Sequence, residues 1–515
     1  MSRAACVAGL ALLALTALAY GAGLSNQFVW DDRDHIVANP RLQSACGLLE
    51  LVSREQGRYY RPLIFVSYAA ERRLWGLSPN RFHLTNLLLH LANVALLIAV
   101  ARRSGGSDIA ALTGAALFAL HPIQSEAVAY ISGRTDLLVV FGALLSCLVW
   151  LGDGPPRRRG VLAALAGGVA MLGKESGFAI VPLWLWLAWR SAASRAPLLA
   201  PGLLLATLLL AWRAAVSGAL APADGLALPS LTTLSGAGWA IVEYLHLLIW
   251  PATLQVDRLL PLPSGGAANA VGLVVLASAI ALAGHGARRR DAIGMWTAWT
   301  ASFYLPAANL IAIYPALAGR ALFMPEHNLY APLAGLGLLV GLALARATAR
   351  STALRWAALA AILPILLGLA ARTSLRVQDW RSERELFGAA VTAGAGSPRV
   401  WFNYGVALLE QGAFAAAADA FAGAIARAPN DGWAWANMAL ARQRAGDLDG
   451  AAAAYARAVE LQPDDAQLFE NLGTLALRRG DAAAARAAFT RALALDPGLS
   501  RSRRALEALD AVGRP

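Results

Sequence analysis

The chain has 515 residues, of which 58% are hydrophobic and only 15% are charged, with a formal net charge of +12 and a mean hydropathy of +0.52. This composition is too apolar for a soluble globular protein. It also argues against nucleic-acid binding, because the arginines form short clusters between long apolar blocks, as is typical of the cytoplasmic loops of membrane proteins.

The chain begins with an apolar run from Ala4 to Leu24, which is long enough to cross a bilayer. A cleaved signal peptide is the alternative, since ALA at 17–19 resembles a cleavage site, but the length of the run favours an uncleaved first span. Further apolar blocks follow and predict a polytopic helical membrane domain, at 84–101, 109–120, 136–151, 161–173, 177–189, 197–217, 237–252, 268–285, 292–306, 329–345 and 356–371.

The arginines predict the orientation of these blocks. With the N-terminus inside, residues 25–83 lie outside, Arg102–Arg103 inside, 121–135 outside and Arg157–Arg159 inside, as the positive-inside rule requires. Strict alternation would then place Arg288–Arg290 outside.

That conflict disappears if the 237–252 block does not cross. It carries Glu243 and His246 and ends in Trp-Pro, so we expect it to lie at the outer interface or to re-enter. The prediction is then about eleven spans over residues 1–371, with everything after 371 outside.

The tail from residue 397 repeats every 34 residues, at 397–430, 431–464 and 465–498. Small residues recur where two helices must touch, glycines at the turns, aromatics in the interior and prolines after each second helix. This spacing is the tetratricopeptide signature. We predict a linker at 372–396, an α-solenoid of three repeats, and a capping helix and tail at 499–515.

One position of the repeat is polar within otherwise apolar helices, and it is occupied by Asn403, Asn437 and Asn471. We predict that these asparagines line a groove that binds a protein or peptide. A structural hydrogen bond is the alternative.

Four polar islands interrupt the membrane part, and all are predicted outside. The first holds Asp31 and Asp32, and the long loop that follows adds Arg61. The other three islands hold the remaining candidate side chains, namely Glu126, Arg134 and Asp136, then Lys174 and Glu175, and finally Arg320, Glu326, His327 and Tyr330.

A carboxylate and several cations at one membrane face suit sugar transfer from a lipid-linked phosphate. The departing phosphate is an anion and needs positive charge rather than a general acid, and Lys174, Arg134, Arg320 or Arg61 could supply it. The acceptor hydroxyl needs one base, for which Asp31 and Asp32 are both candidates.

Plainer interpretations exist for the same residues. The aspartates could belong to a solvated loop beside an interfacial aromatic belt, and the polar stripe His83, Asn86, His90, Asn93 could serve interhelical hydrogen bonding. Convergence of the acidic residues could create a divalent metal site, but nothing in their spacing demands a metal. The three cysteines form no CxxC pair and suggest neither a disulfide framework nor zinc.

Motifs spread in order over most of the chain carry a family resemblance: FVWDDRDHI, RYYRPLIFVSYAAERRLWG, FHLTNLLLHLANVALL, HPIQSEAVAYISGRTDLL, GKESG, LHLLIWPATLQVD and EHNLY. With the repeat tail, they resemble the transmembrane and tetratricopeptide-repeat O-mannosyltransferases, which have the GT-C fold, and their bacterial relatives. The resemblance implies a polyprenyl-phosphate sugar donor and an essential acidic residue in the first outer loop, hence Asp31 or Asp32 as the base.

The fourth island departs from the family pattern. His327 stands where arginine is common, which puts its phosphate-binding role in doubt, and Arg320 could compensate. Glu126, Glu326, Asp136, Glu175 and Tyr330 are expected to support the cations. Mannose or a related hexose is the implied sugar.

We therefore predict an all-α, GT-C-like membrane glycosyltransferase that acts with inversion at the extracytoplasmic face, with its acceptor recruited by the repeats. The alanine- and arginine-rich composition suggests a bacterial inner membrane with the repeats in the periplasm. The alternative is a non-catalytic membrane scaffold whose repeats dock envelope proteins. A transporter is disfavoured, because most of the charge sits at one face.

Overall fold

The computed structural model describes residues 2–43, 60–191, 195–217, 229–308, 310, 321–349 and 351–512. The chain divides into two compact units. The first comprises Met1–Leu254 with Arg258–Ser382, and the second Gln255–Asp257 with Glu383–Pro515. The division after Ser382 falls inside the stretch 372–396 that the sequence suggests as a linker.

The first unit is almost entirely helical, as predicted, and every predicted apolar block coincides with a helix. Its helices of ten or more residues are α1 Arg3–Gly21, α2 Pro62–Trp75, α3 Pro79–Arg103, α4 Asp108–Leu120, α5 Arg134–Trp150, α6 Pro156–Gly173, α7 Ile180–Arg190, α8 Arg195–Ser217, α9 Leu231–Ile249, α10 Gly266–Ala287, α11 Ala292–Tyr304, α12 Tyr330–Ala347 and α13 Thr352–Asp379. Helix α2 lies in the loop between the first two predicted spans and is not among the predicted blocks.

A small antiparallel sheet is the one departure from all-helical structure among the described residues. Strand β1, Leu259–Pro261, pairs with β2, Ala321–Phe323, so that Leu259 lies opposite Phe323. The sheet follows α9 and precedes the polar segment that starts α12.

Seven described helical segments are long and apolar enough to cross a membrane. They are Arg3–Ser25, Pro79–Arg103, Ile131–Trp150, Ala196–Val216, Gly266–Ala287, Glu326–Ala347 and Thr352–Asp379. The other predicted blocks form shorter or more polar helices, such as α4, whose 13 residues rise only about 20 Å. The first unit is a multi-pass membrane protein, and the count of eleven crossings stays a prediction.

The arginine clusters gather at one end of the helix bundle. Trp296, near the start of α11, donates its indole N–H to the Ser104 hydroxyl at 3.2 Å, directly after Arg102–Arg103. Asp291 pairs with Arg289 at 2.8 Å and with Arg346, at the end of α12, at 3.4 Å. Arg288–Arg290 thus lie at the same end as Arg102–Arg103, which agrees with placing both clusters inside.

Small residues bring α4 and α12 into close contact. A Cβ on Gly114 would lie 2.4 Å from Leu338 Cδ2, and one on Gly341 would lie 2.3 Å from the Ala110 carbonyl oxygen. Gly337 and Gly341 form a small-xxx-small pair, which lets membrane helices approach closely. This contact brings the polar segment after α4 beside the polar segment before α12.

The second unit is a solenoid of helix pairs. Its helices are α14 Glu383–Thr392, α15 Pro398–Glu410, α16 Phe414–Arg427, α17 Gly432–Ala445, α18 Leu448–Leu461, α19 Ala466–Arg478, α20 Ala482–Leu495 and α21 Ser500–Val512. Phe421, Tyr455 and Phe489 are buried in its interior. Gly446 ends α17 in the left-handed conformation, at φ 95°, where a glycine carries no steric penalty.

Replacing Gly473 by valine should destabilise the solenoid. A Cβ at Gly473 would lie 2.6 Å from the Phe489 ring, and overpacking of this kind costs about 1–3 kcal/mol. The matched control is Gly396→Val, because Gly396 is exposed and faces open space. Thermal unfolding and limited proteolysis of the detergent-solubilised chain should show a lowered midpoint for Gly473→Val only; equal behaviour of the two variants would contradict this packing.

Candidate functional site

Asp32 is fully buried and binds the turn that precedes α5. Its Oδ1 accepts hydrogen bonds from the Ser132 backbone N–H at 2.9 Å and from the Ser132 hydroxyl at 2.6 Å. Its Oδ2 accepts from the backbone N–H of Val29 at 3.3 Å. These bonds tie the first polar island to the second, 100 residues away in the sequence.

Burial raises the pKa of Asp32 to about 7, although the hydrogen bonds from Ser132 and Val29 work in the opposite direction. All three partners donate, so they match the ionised carboxylate. Asp32 therefore titrates near neutral pH, where a change in its charge alters how the first loop is held.

Asn86 of α3 holds the same turn from the other side. Its amide donates to the carbonyls of Val128, Tyr130 and Ile131, at 3.4, 3.0 and 3.3 Å. The side-chain oxygen of Asn86 accepts from Arg134 Nε at 2.8 Å. Asn86 of the polar stripe thus makes structural hydrogen bonds.

Arg134 is buried, with an exposed fraction of 0%, and each of its nitrogens has a partner. Nη1 donates to the Ser67 hydroxyl at 3.0 Å and pairs with Glu71 at 2.9 Å, while Nη2 donates to the Phe82 carbonyl at 3.0 Å. These contacts join α2, α3 and the start of α5. They engage the guanidinium with protein groups on all sides.

Trp30, directly before the acidic pair, adopts a left-handed conformation at φ 54°. Such a conformation is costly for a large side chain and persists only where packing enforces it. Trp30 stacks on Tyr130 at 5.8 Å between ring centroids, and Tyr130 stacks on Trp380 at 5.4 Å. This aromatic stack fixes the backbone from which Asp31 projects.

Asp31 differs from its neighbour, because its side chain is half-buried. The buried Tyr130 hydroxyl faces it but makes no hydrogen bond of good geometry among the described residues. Burial, with the Asp31 and Asp32 carboxylates, raises the pKa of Tyr130 well above its usual range. Burial lowers the pKa of His35, whose ring lies 5.8 Å from that of Phe65, four residues after Arg61.

Arg61, Glu175 and Arg213 form a cationic cluster. Glu175 accepts from Arg61 at 2.9 Å through Oε2 and from Arg213 at 3.0 Å through Oε1. Although burial raises the pKa of Glu175, the two guanidiniums lower it to about 2, so Glu175 stays ionised. The two arginine side chains keep about a fifth of their area exposed, at 21% and 20%.

Lys174 lies beside this cluster in the sequence and pairs with Asp136 at the start of α5. The distances from Nζ to the two carboxylate oxygens are 2.8 and 2.9 Å. The 3₁₀ turn Glu175–Ala179 contacts α5, so the second and third islands are neighbours.

The second and fourth islands meet through Glu126. Glu126 accepts from the ring Nδ1 of His327 at 2.8 Å and from its backbone N–H at 3.0 Å. Glu326 pairs with the buried Arg376 at 3.5 Å, and Arg376 also pairs with Asp379 at 2.9 Å. Glu326, the sequence neighbour of His327, is therefore paired with an arginine of α13.

Tyr330 joins the fourth island to α3. Its hydroxyl lies 2.8 Å from His90 Nδ1 and 3.1 Å from Asn93 Nδ2. Arg320 lies outside the described residues, as does Cys46. Within the described residues no group of three or more histidines, cysteines, aspartates or glutamates could hold a metal ion.

In the solenoid, Asn437 and Asn471 line one groove of about 350 Å³, and Asn403 is half-buried on α15. Asn437 donates to the Trp433 carbonyl at 2.9 Å.

Several contacts of this site are absent from the sequence interpretation. They involve Ser132, Glu71, Arg213, Trp380 and Arg376. Arg213 had a usable signal, since an isolated arginine within an apolar span is rarely without function. The partners of the other residues come from distant segments, so their spacing in the sequence carries no signal.

Comparison with known proteins agrees with the family resemblance. A family model described as tetratricopeptide repeat matches residues 369–432 and 437–500. "Protein O-mannosyl-transferase Tmtc1" of Drosophila melanogaster is 34% identical over 193 residues, which cover 35% of this chain and 20% of that protein. "Protein O-mannosyl-transferase TMTC4" of Mus musculus is 27% identical over 476 residues, covering 77% of this chain and 63% of that protein. The aligned region thus spans a minor part of the first relative and less than two thirds of the second.

Two solved structures align with the chain at low similarity. ArnT from Cupriavidus metallidurans bound to undecaprenyl phosphate has a TM-score of 0.44 and 15% identity, over 90% of this chain and 80% of that one. The Archaeoglobus fulgidus oligosaccharyltransferase tethered with an acceptor peptide has a TM-score of 0.39 and 13% identity, over 72% of this chain and 55% of that one.

Fold and comparisons together define a class: a multi-pass helical membrane protein that continues into tetratricopeptide repeats. Its sequence is similar to curated proteins named protein O-mannosyl-transferases.

Removing the Arg134 side chain alone should destabilise the membrane unit strongly. Arg134→Met leaves Glu71, which is 5% exposed, as an uncompensated buried carboxylate, at a cost of about 3–5 kcal/mol. The double variant Arg134→Met/Glu71→Met should recover most of the loss, since a buried pair can be replaced by apolar groups. Thermal unfolding in detergent measures both; a single variant as stable as the wild type would contradict this role.

The stability of Asp32→Asn relative to the wild type should increase as the pH rises. The pKa of Asp32 is raised from 3.8 to about 7 on folding, so the stability it contributes is complete below about pH 4 and is lost as the pH rises to about 7. Asparagine does not titrate and avoids this loss. Unfolding midpoints of both proteins are measured from pH 5 to pH 8. The midpoint of Asp32→Asn should rise relative to that of the wild type over this range; a constant difference would contradict the burial of an ionisable group.

Proposed function

We propose that this protein is a glycosyltransferase that moves mannose or a related hexose from a polyprenyl-phosphate donor to a hydroxyl group of a protein or peptide. The observation that carries the proposal is that the loop of Asp31 packs on the start of α2, directly after Arg61, where the His35 and Phe65 ring centroids lie 5.8 Å apart. A half-buried carboxylate beside a positively charged cluster suits a reaction that removes one proton and releases one anion.

Asp31 is the base in this proposal, and Asp32 positions it. Asp32 is fully buried, and its two oxygens are occupied by Ser132 and Val29, so no acceptor hydroxyl reaches it. Asp31 shares the clamped backbone but keeps part of its side chain accessible.

The reaction is a direct displacement. The acceptor oxygen attacks the anomeric carbon while Asp31 takes its proton, and the bond from that carbon to the phosphate oxygen breaks. The lipid phosphate leaves with the electron pair, and its negative charge is stabilised by cations. One step of this kind inverts the anomeric centre.

Arg61, Arg213 and Lys174 are the proposed phosphate-binding residues. The first two both pair with Glu175 and keep about a fifth of their side-chain area exposed, at 21% and 20%. Arg320 remains a candidate, and His327 supports the site through Glu126. Arg134 has a structural role in this proposal rather than a phosphate-binding one, because protein groups surround its guanidinium.

The site faces the extracytoplasmic side in this proposal, and the repeats lie on that side. The arginine clusters of 102–103 and 288–290 gather at one end of the bundle, and the polar islands begin or end the same helices at the other. The positive-inside rule then places the islands outside, which in a bacterium is the periplasm. The second unit presents the acceptor.

Asp31→Asn should abolish transfer, with a loss of at least about a hundredfold, because a positioned base contributes 10²–10⁴-fold. Asp32→Asn should lower the rate by a smaller factor, since it weakens the clamp and leaves the base in place. The measurement is transfer from synthetic polyprenyl-phosphate mannose to an envelope-protein extract by purified protein.

Asp34→Asn is the matched control, because Asp34 is exposed and lies three residues from Asp31 in the same loop. Full activity of Asp31→Asn in a folded protein would reject Asp31 as the base. If the wild type forms no product with the extract, the scaffold function, in which the repeats alone act, becomes the better account.

A further inference from the structure

A groove on the solenoid combines polar and apolar groups around a volume of about 350 Å³. It is lined by α17, α19 and the capping helix α21. The side chains that matter for binding are Trp433, Asn437, Arg444, Asn471 and Arg501. The groove lies wholly within the second unit.

The charge that the groove offers a ligand depends on whether its two arginines are paired with carboxylates. Some surface arginines of the solenoid pair with carboxylates, as Arg479 does with Asp449 and Arg491 with Asp464. Within the described residues, neither Arg444 nor Arg501 forms such a pair.

One carboxylate lies in the lining, and it is engaged with backbone. Asp465 caps the N-terminus of α19, where its Oδ1 accepts from the N–H groups of Gln467 and Leu468 at 2.9 and 3.2 Å. The helix N-terminus offsets its charge. The groove therefore presents two guanidiniums to a ligand and attracts negative charge.

The two asparagines occupy the same position in consecutive repeats and carry the groups that an extended peptide backbone needs. Asn437 uses one N–H on the Trp433 carbonyl and keeps its side-chain oxygen available. Asn471 makes no side-chain hydrogen bond within the described residues. An amide offers both a donor and an acceptor, as each residue of a peptide does.

Trp433 adds an apolar surface at the edge of the groove. Its side chain is 57% exposed, which makes it the most exposed large hydrophobic residue of the second unit among those described. An exposed tryptophan beside arginines and amides is the composition of a binding hot spot.

We infer that this groove binds an extended, acidic peptide segment of a partner protein, with its carboxylates on Arg444 and Arg501, its backbone on Asn437 and Asn471, and an apolar side chain on Trp433. Where the transferase function proposed above holds, this segment belongs to the acceptor. The binding itself does not depend on that activity.

The test is binding of a labelled eight-residue peptide, rich in Asp and Glu with one Phe, to the solubilised full-length chain by fluorescence anisotropy. Arg444→Gln and Arg501→Gln should each weaken binding about tenfold, since a hydrogen bond to a charged group is worth about 1.5 kcal/mol or more. A peptide with Asn and Gln in place of Asp and Glu should bind the wild type no more tightly than the acidic peptide binds Arg444→Gln or Arg501→Gln.

Arg504→Gln is the matched control, because Arg504 is an exposed arginine of the same helix that does not line the groove. It should bind the acidic peptide like the wild type. Asn471→Ala should weaken binding without changing its dependence on peptide charge. Asp31→Asn should bind normally, which separates failure of the groove from failure of the transfer step.

Three results would overturn the inference. The first is equal binding of the acidic and neutral peptides, and the second is equal affinity of Arg444→Gln, Arg501→Gln and Arg504→Gln. The third is binding of inorganic polyphosphate of matched charge as tightly as the peptide, with no effect of Asn471→Ala, which would make the groove a general anion site.

Discussion

The hydrogen bonds between Ser132 and the buried Asp32 carboxylate hold the proposed site together. They join the loop after the first span to the turn before α5. Asn86 and Arg134 hold that turn from the α3 side. Asp31 therefore projects from a backbone fixed on both sides, and the strained Trp30 is kept in place by its stack on Tyr130.

Keeping an ionisable group at this depth has a cost in stability, because burial raises the pKa of Asp32 and disfavours its charged form. A neutral residue would serve packing alone. The neighbouring cations are held differently: Arg61, Arg213 and Lys174 each share a carboxylate and remain partly accessible. Burial of one acid and partial exposure of several paired cations suit a site in which the base must be fixed and the leaving phosphate must bind and depart.

Much of this organisation follows from the sequence. Apolar blocks and arginine clusters predict the helices, because hydropathy and the positive-inside rule act on single segments. The repeats are predicted because their spacing of 34 residues recurs three times in register. The acidic pair and the four islands likewise stand out against apolar surroundings.

The sequence does not predict which cation meets which carboxylate. Glu326 pairs with Arg376 of α13, and Glu71 of α2, which lies outside every predicted block, neutralises Arg134. Such pairs depend on the packing of helices that are far apart in the chain, and hydropathy says nothing about it. The difference between Asp31 and Asp32 also needs the structure, because adjacent aspartates look identical until the burial of each is known.

The proposed reaction is a single displacement with one base. The anomeric configuration of the product tests this mechanism most directly. Nuclear magnetic resonance of the transferred sugar, compared with the anomeric configuration of the polyprenyl-phosphate donor, measures it. We expect inversion of the anomeric configuration, since Asp31 acts only on the acceptor proton and forms no bond to the sugar. Retention of the donor configuration would contradict it, because it would require a covalent sugar–enzyme intermediate and a second carboxylate acting as nucleophile.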